Sequence, residues 1–341
     1  MSLGEILDKT IEMYRRRFLL FAGIAALPAA AMLGLHAVDI AWVHTDRWID
    51  TSDDGWMFER LLLAYGYYHI SGFLALLVLP AFVRAGTAAL FGESTTIWPS
   101  LRFANAHWRS YLWLAFLAHI AALILPEALA FGVFYGTGTL LDKLNLIGDS
   151  PSVVAIVLLL LEIPAGFLFV LWATALFSFS IPAAALEQFK GFKALRRSWV
   201  LTSGSRWRIV FARVMVLLVA WALEISIQYL IRWIAILLYR GHSWTGFNAD
   251  IYSLAIYFFY AVIASIVGPL FPIAITLLYY DQRVRKEGFD VEVMMQRAGL
   301  EAEAGGSGAN GLVPGLAGFD RGQAPAWSQF VKFIRSLRGF D

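Results

Sequence analysis

The sequence predicts an all-α integral membrane protein whose six transmembrane helices form three hairpins, each preceded by an amphipathic interfacial helix. Three observations carry this expectation. The chain is 59% hydrophobic and only 15% charged, with its charges bunched between long apolar runs, whereas an average soluble domain carries about 25% charged residues. Lysine and arginine crowd into alternate connections. A basic, aromatic segment recurs ahead of the first, third and fifth apolar runs.

A helix needs about 20 mostly apolar residues to cross the hydrocarbon core. Six stretches qualify: 18–36, 69–91, 111–135, 153–183, 209–238 and 252–280. Pro28, Pro80, Pro126, Pro164, Pro182, Pro269 and Pro272 fall in or near them. Each removes a backbone donor, so local distortion is expected there.

Charge sets the orientation. All but five of the 27 lysines and arginines lie in the N-terminal segment, the second and fourth connections and the tail; Arg47, Arg60, Lys143, Arg232 and Arg240 lie opposite. Basic loops stay in the cytoplasm, so both termini are expected inside. "LLYYDQRVRKEGFD" (Leu277–Asp290) then marks the cytosolic edge of the last span. Tyr279 and Tyr280 are expected at the headgroups, with Arg283, Arg285 and Lys286 beyond them.

The segments ahead of the odd-numbered spans are patterned. In residues 1–17, Ser2 and Glu5 form a capping box. Leu3, Ile6, Leu7, Ile11, Tyr14 and Phe18 share a face opposite Arg15 and Arg16, with Arg17 next in line. Such a helix argues against reading the basic start and apolar middle as a cleaved leader. "IWPSLRFANAHWRSYLWL" (Ile97–Leu114) aligns Ile97, Leu101, Ala104 and Trp108, followed by Arg109. "FKGFKALRRSWVLTSGSRWRIV" (Phe189–Val210) sets Phe192, Leu195 and Trp199 against Lys193, Arg196 and Arg197. A degenerate repeat explains the recurrence; the blander account is that any inward loop beside a span is basic and aromatic. These helices are expected to lie along the interface, touching anionic lipid.

Residues 1–290 thus read as the transmembrane domain. Residues 291–325 hold a short helix and a glycine-rich linker too polar and small-residued to fold. Residues 326–341 are patterned as a basic amphipathic helix for the membrane surface or a protein partner.

Ionisable groups inside spans cost several kcal/mol at the bilayer centre. Glu162, Glu224, Gln228 and His119 are therefore the candidate intramembrane polar site, either a proton relay or headgroup pocket, or simply hydrogen bonds that hold the bundle. Glu127 is expected at the outer interface. Several function classes are excluded by what the chain lacks. Without cysteine there is no thiolate chemistry. No zinc-protease, nucleophile-elbow, phosphate-loop or dinucleotide motif occurs, and the six histidines have no ligand spacing. Neither a metal, a cofactor nor nucleic acid is expected. The acidic loop "DRWIDTSDDGWMFE" lacks calcium-loop spacing.

"SLGEILDKTIEMYRRRF" and "PLFPIAITLLYYDQRVRKEGFD" resemble the bacterial family named for the membrane domain of glycerophosphoryl diester phosphodiesterases, over about residues 1–290. The resemblance implies six spans with amphipathic entry helices in the bacterial cytoplasmic membrane. In fused relatives the phosphodiester chemistry sits in a separate barrel, for which the stretch after Asp290 leaves no room, so no active-site residue carries over. Two readings follow. One is a non-enzymatic scaffold or accessory subunit that touches lipid, possibly linked to lipid metabolism. The other is a transporter or lipid-translocating protein that uses the intramembrane Glu, His and Gln side chains.

Overall fold

The computed structural model describes residues 2–45, 55–146, 153–238 and 246–288. The described residues form helices joined by short turns and connections, without strands. In chain order the helices are α1 (Leu3–Arg16), α2 (Phe18–Thr45), α3 (Gly55–Leu90), α4 (Ile97–Ala106) and α5 (Trp108–His119). After a π turn at Ile120–Ile124 come α6 (Leu125–Lys143), α7 (Val153–Phe177), α8 (Ser180–Glu187) and α9 (Phe192–Thr202). The last are α10 (Arg206–Leu238), α11 (Gly246–Val267) and α12 (Leu270–Glu287).

Six stretches are long and apolar enough to cross a membrane: Phe18–Ala41, Leu61–Leu90, Trp108–Lys143, Ala155–Glu187, Arg206–Leu237 and Ile251–Glu287. The protein is a multi-pass membrane protein. Each span matches one read from the sequence but outruns it, because the helical backbone continues into flanking polar residues. The 33 residues of α10 extend for about 50 Å at 1.5 Å per residue, well beyond a hydrocarbon core of about 30 Å.

The prolines act unequally. Pro28, Pro80 and Pro164 sit inside unbroken helices. Pro126 follows the π turn: its ring crowds the carbonyl four residues back, at Ala122, and the wider turn absorbs the clash. Gly268 and Pro269 separate α11 from α12.

The described chain forms two compact units, residues 2–108 with 212–278, and residues 109–211 with 279–288. In the first, α11 lies along α2, while α3 packs on both α2 and α4. Apolar side chains gain little from meeting one another in lipid, so close approach rests on small residues. Ala81, Ala85 and Ala88 of α3 are fully buried, and a side chain at Gly86 would come within 3.3 Å of Thr276. The entry helix α1 starts with the expected capping box: Glu5 N–H donates to Ser2 Oγ at 3.2 Å, and Ser2 N–H donates to Glu5 Oε2 at 2.6 Å. Its buried face is Ile6, Thr10, Met13 and Tyr14, rotated from the expected stripe; Ile11 is 51% exposed. Thr10 tolerates burial because its hydroxyl donates to the Ile6 carbonyl at 2.7 Å. Tyr14 donates to the Ile266 carbonyl, and burial raises its phenol to about 12, so it stays a neutral donor.

In the second unit, α6 and the π turn pack against α7, where Ala130 lies 3.3 Å from the place of a Gly166 side chain. Beneath them α8 and α9 pack together. The buried face of α9 is small and polar: Ala194, Leu195, Ser198, Leu201 and Thr202. Ser198 Oγ donates to the Leu176 carbonyl at 2.7 Å and accepts from Phe179 N–H at 3.0 Å, mending the break between α7 and α8. Phe192 and Trp199 point away from this core, 70% and 47% exposed. Among the described helices, α2 packs on α3 and α6 on α7, while α11 packs on α2.

Candidate functional site

A concavity of the first unit lies between α10 and α11. It is a cavity of about 800 Å³ bounded by α2, α3, α10, α11 and the start of α12, within the range of about 300–1,000 Å³ usual for small-ligand sites. On α10, Val216, Ala220 and Glu224 line it at one residue per helical turn, together with Leu217 and Trp221. On α11, the small Ala261 and Ala264 line it with Tyr257, Tyr260, Ile263 and Val267. At Gly268, also in the lining, a side chain would come within 2.3 Å of the Ala264 carbonyl oxygen, so the backbone there admits only glycine.

Polar groups converge on these apolar walls. The His36 ring stacks on Tyr257 with centroids 3.8 Å apart and planes within 4°, and meets Tyr67 at 4.4 Å. One imidazole thus joins α2, α3 and α11. Its buried Nδ1 has no hydrogen-bond partner among the described residues. Tyr260, with its ring centroid 6.4 Å from that of Tyr257, lines the same space as Glu224. Among the described residues no cationic side chain pairs with Glu224, and no lysine or arginine lines the cavity.

Of the four residues singled out in the sequence, Glu224 alone lines this space. Gln228, one turn further, is exposed and outside the lining. His119, buried at the end of α5, and Glu162, half-buried on α7, belong to the second unit. His36, Tyr67, Tyr257 and Tyr260 were missed. For the tyrosines the available signal was the aromatic clusters "YGYYH" and "YFFY", but composition alone does not show which face of a span turns inward. No group of three or more potential metal ligands occurs among the described residues.

The second unit carries an ion-pair network where the last span ends. Glu187 accepts from the Tyr279 hydroxyl and pairs with Arg197 at 2.8 Å. Arg197 forks onto both oxygens of Glu287, at 2.7 Å for Nη2. Arg283 Nε lies 3.2 Å from Glu287. Burial alone would lower the Arg197 pKa; Glu287 and Glu187 reverse that and raise it, so the guanidinium keeps its charge. Beside this group, fully buried Asp281 lies 3.3 Å from Arg208 and 3.1 Å from Arg285. Lys286 Nζ donates to the carbonyls of Val200, Leu201 and Ser203, closing the C-terminus of α9.

This geometry corrects three expected lipid contacts. Tyr279 and Tyr280 are 0% and 4% exposed, with Tyr279 edge-on to Phe179, and Arg283 is 7% exposed. Tyr279 and Arg283 face protein because Glu187 and Glu287 partner them there, and Tyr280 packs edge-on to Tyr279. Arg15, Arg16, Trp108, Arg109, Lys193, Arg196, Trp199 and Arg285 remain exposed. Arg17 and Arg197 are half-buried, and Lys286 is engaged with α9.

A family model described as the membrane domain of glycerophosphoryl diester phosphodiesterase matches residues 151–305. The resemblance read from the sequence therefore holds over α7–α12, including "PLFPIAITLLYYDQRVRKEGFD"; "SLGEILDKTIEMYRRRF" lies outside the matched stretch. Comparison with curated proteins returns no match, and comparison with solved structures returns none either.

Proposed function

We propose, for a chain whose residues 151–305 match the membrane domain of glycerophosphoryl diester phosphodiesterases, that it is a non-enzymatic membrane protein which binds lipid. The cavity beside Glu224 holds one amphiphile, its chain against the apolar walls and its polar end among Glu224, His36 and the tyrosines. The carrying observation is that cavity: about 800 Å³, apolar over most of its lining, with one carboxylate and an imidazole in its wall. A simple structural role for Glu224 would put a partner on it, and none is present among the described residues. The same site suits a lipid-translocating protein that passes its cargo between leaflets.

The test fills the space. Ala220→Trp puts an indole into the cavity from the α10 wall. Purified in mild detergent and compared by native mass spectrometry, wild type should retain a lipid that the variant loses several-fold, with helix content unchanged by circular dichroism. Equal retention by the two proteins would sink the reading.

A second reading rests on Phe192 and Trp199, exposed on α9 beside Lys193 and Arg196, and on Trp98, 67% exposed on α4. These surfaces suit a scaffold that lays basic, aromatic helices on the cytosolic leaflet of the bacterial inner membrane. A protein partner for residues 326–341 belongs to the same proposal; that segment lies outside the described residues, as do residues 291–325 and most of the acidic loop.

A further inference from the structure

We infer that the cavity beside Glu224 selects a lipid whose headgroup ends in an ammonium, primary or quaternary, over one of equal chain length that carries only a phosphate or hydroxyls. The inference rests on the lipid-binding reading above and adds the chemistry of the headgroup. Its first support is charge. Glu224 is the acid in the lining, and no lysine or arginine accompanies it. A lipid ending in a bare anion would meet a like charge there with no lysine or arginine in the lining to offset it, whereas an ammonium supplies the missing partner.

The second support is the rings. Tyr67, Tyr257, Tyr260 and Trp221 line the same space as the carboxylate. Aromatic faces attract cations, and a ring cage with an acid is the arrangement that recognises alkylated ammonium groups. The rings are held rather than loose, since His36 stacks on Tyr257 and leans on Tyr67. The carboxylate and the rings together read the positive tip of the headgroup.

The experiment reconstitutes the full chain in vesicles of phosphatidylethanolamine and phosphatidylglycerol at equal fractions and with identical acyl chains. Native mass spectrometry then reads the retained lipid. A parallel set replaces phosphatidylethanolamine by phosphatidylcholine, to tell a primary from a quaternary ammonium. Wild type should retain the ammonium lipid at least ten-fold over its bulk ratio in one set or both. Glu224→Gln should retain lipid at the bulk ratio, Glu224→Asp should restore enrichment, and Tyr257→Leu should reduce it. Retention in wild type at the bulk ratio, or enrichment that survives Glu224→Gln, would overturn the headgroup assignment and leave the lipid site standing. Absence of retained lipid in wild type would remove both. Should Glu224→Gln fail to fold, the wild-type ratio and Tyr257→Leu still decide.

Discussion

Asp281 shows what a single side chain contributes here. Its carboxylate is fully buried yet answered by Arg208 and Arg285. The value of such a pair lies less in attraction than in the penalty for breaking it, because removing one partner leaves a charge out of water. Asp281→Ala should lower stability by about 3 kcal/mol in reversible detergent-denaturation titrations. Arg285→Ala should cost under about 1 kcal/mol, because Arg285 is nearly half exposed and water screens it. Equal losses for the two would mean that the buried pair is not the anchor. In the sequence, Asp281 stood in the row of charges that marks the cytosolic edge of the last span. Burial at the end of a span is a property of the neighbouring helices, and nothing in "YYDQRVRKE" encodes where α8 and α10 lie.

At the scale of elements, two glycines separate tolerance from necessity. A side chain at Gly23 would meet the tip of Ile97, which can rotate away; one at Gly268 would meet the backbone oxygen of Ala264, which cannot. Gly23→Ala should therefore shift the thermal midpoint by little. Gly268→Ala should destabilise by about 1–3 kcal/mol, the usual cost of forcing atoms into filled space. Differential calorimetry of the two variants would separate them, and a harmless Gly268→Ala would refute the strict requirement at the α11–α12 break. Elements were the most legible level. Apolar length alone located all six spans, and Ser2 with Glu5 announced the start of α1. What went astray was rotation: Ile11 belongs to the expected stripe of α1 but faces outward, because burial follows Thr10 and Met13. Hydrophobic periodicity marks a stripe without saying which neighbour it meets, and a threonine that satisfies its own hydroxyl passes for apolar.

For the whole molecule, the basic loops predict both termini in the cytoplasm. The native chain has no cysteine, so single cysteines report cleanly. Cysteines at positions 4 and 290 should react with a membrane-impermeant maleimide only after the cells are opened, and one at position 243 should react in intact cells. Labelling of position 290 from outside would invert the topology. The candidate site was only partly legible at this scale. A lone acid in an apolar run announced Glu224, because the cost of putting it there demands a reason. Its companions His36 and Tyr257 come from helices more than 200 positions apart in the chain, and no local pattern links them.

The ion-pair network also bears on the order in which the protein is made. Arg197, Arg208 and the C-terminus of α9 leave the ribosome well before Glu287, Asp281 and Lys286, which complete them. A nascent polypeptide halted before residue 279 holds those arginines short of their late carboxylates. Premature stop codons upstream of that point should therefore yield a product that membrane quality-control proteases degrade, even with five of its six crossings already inserted.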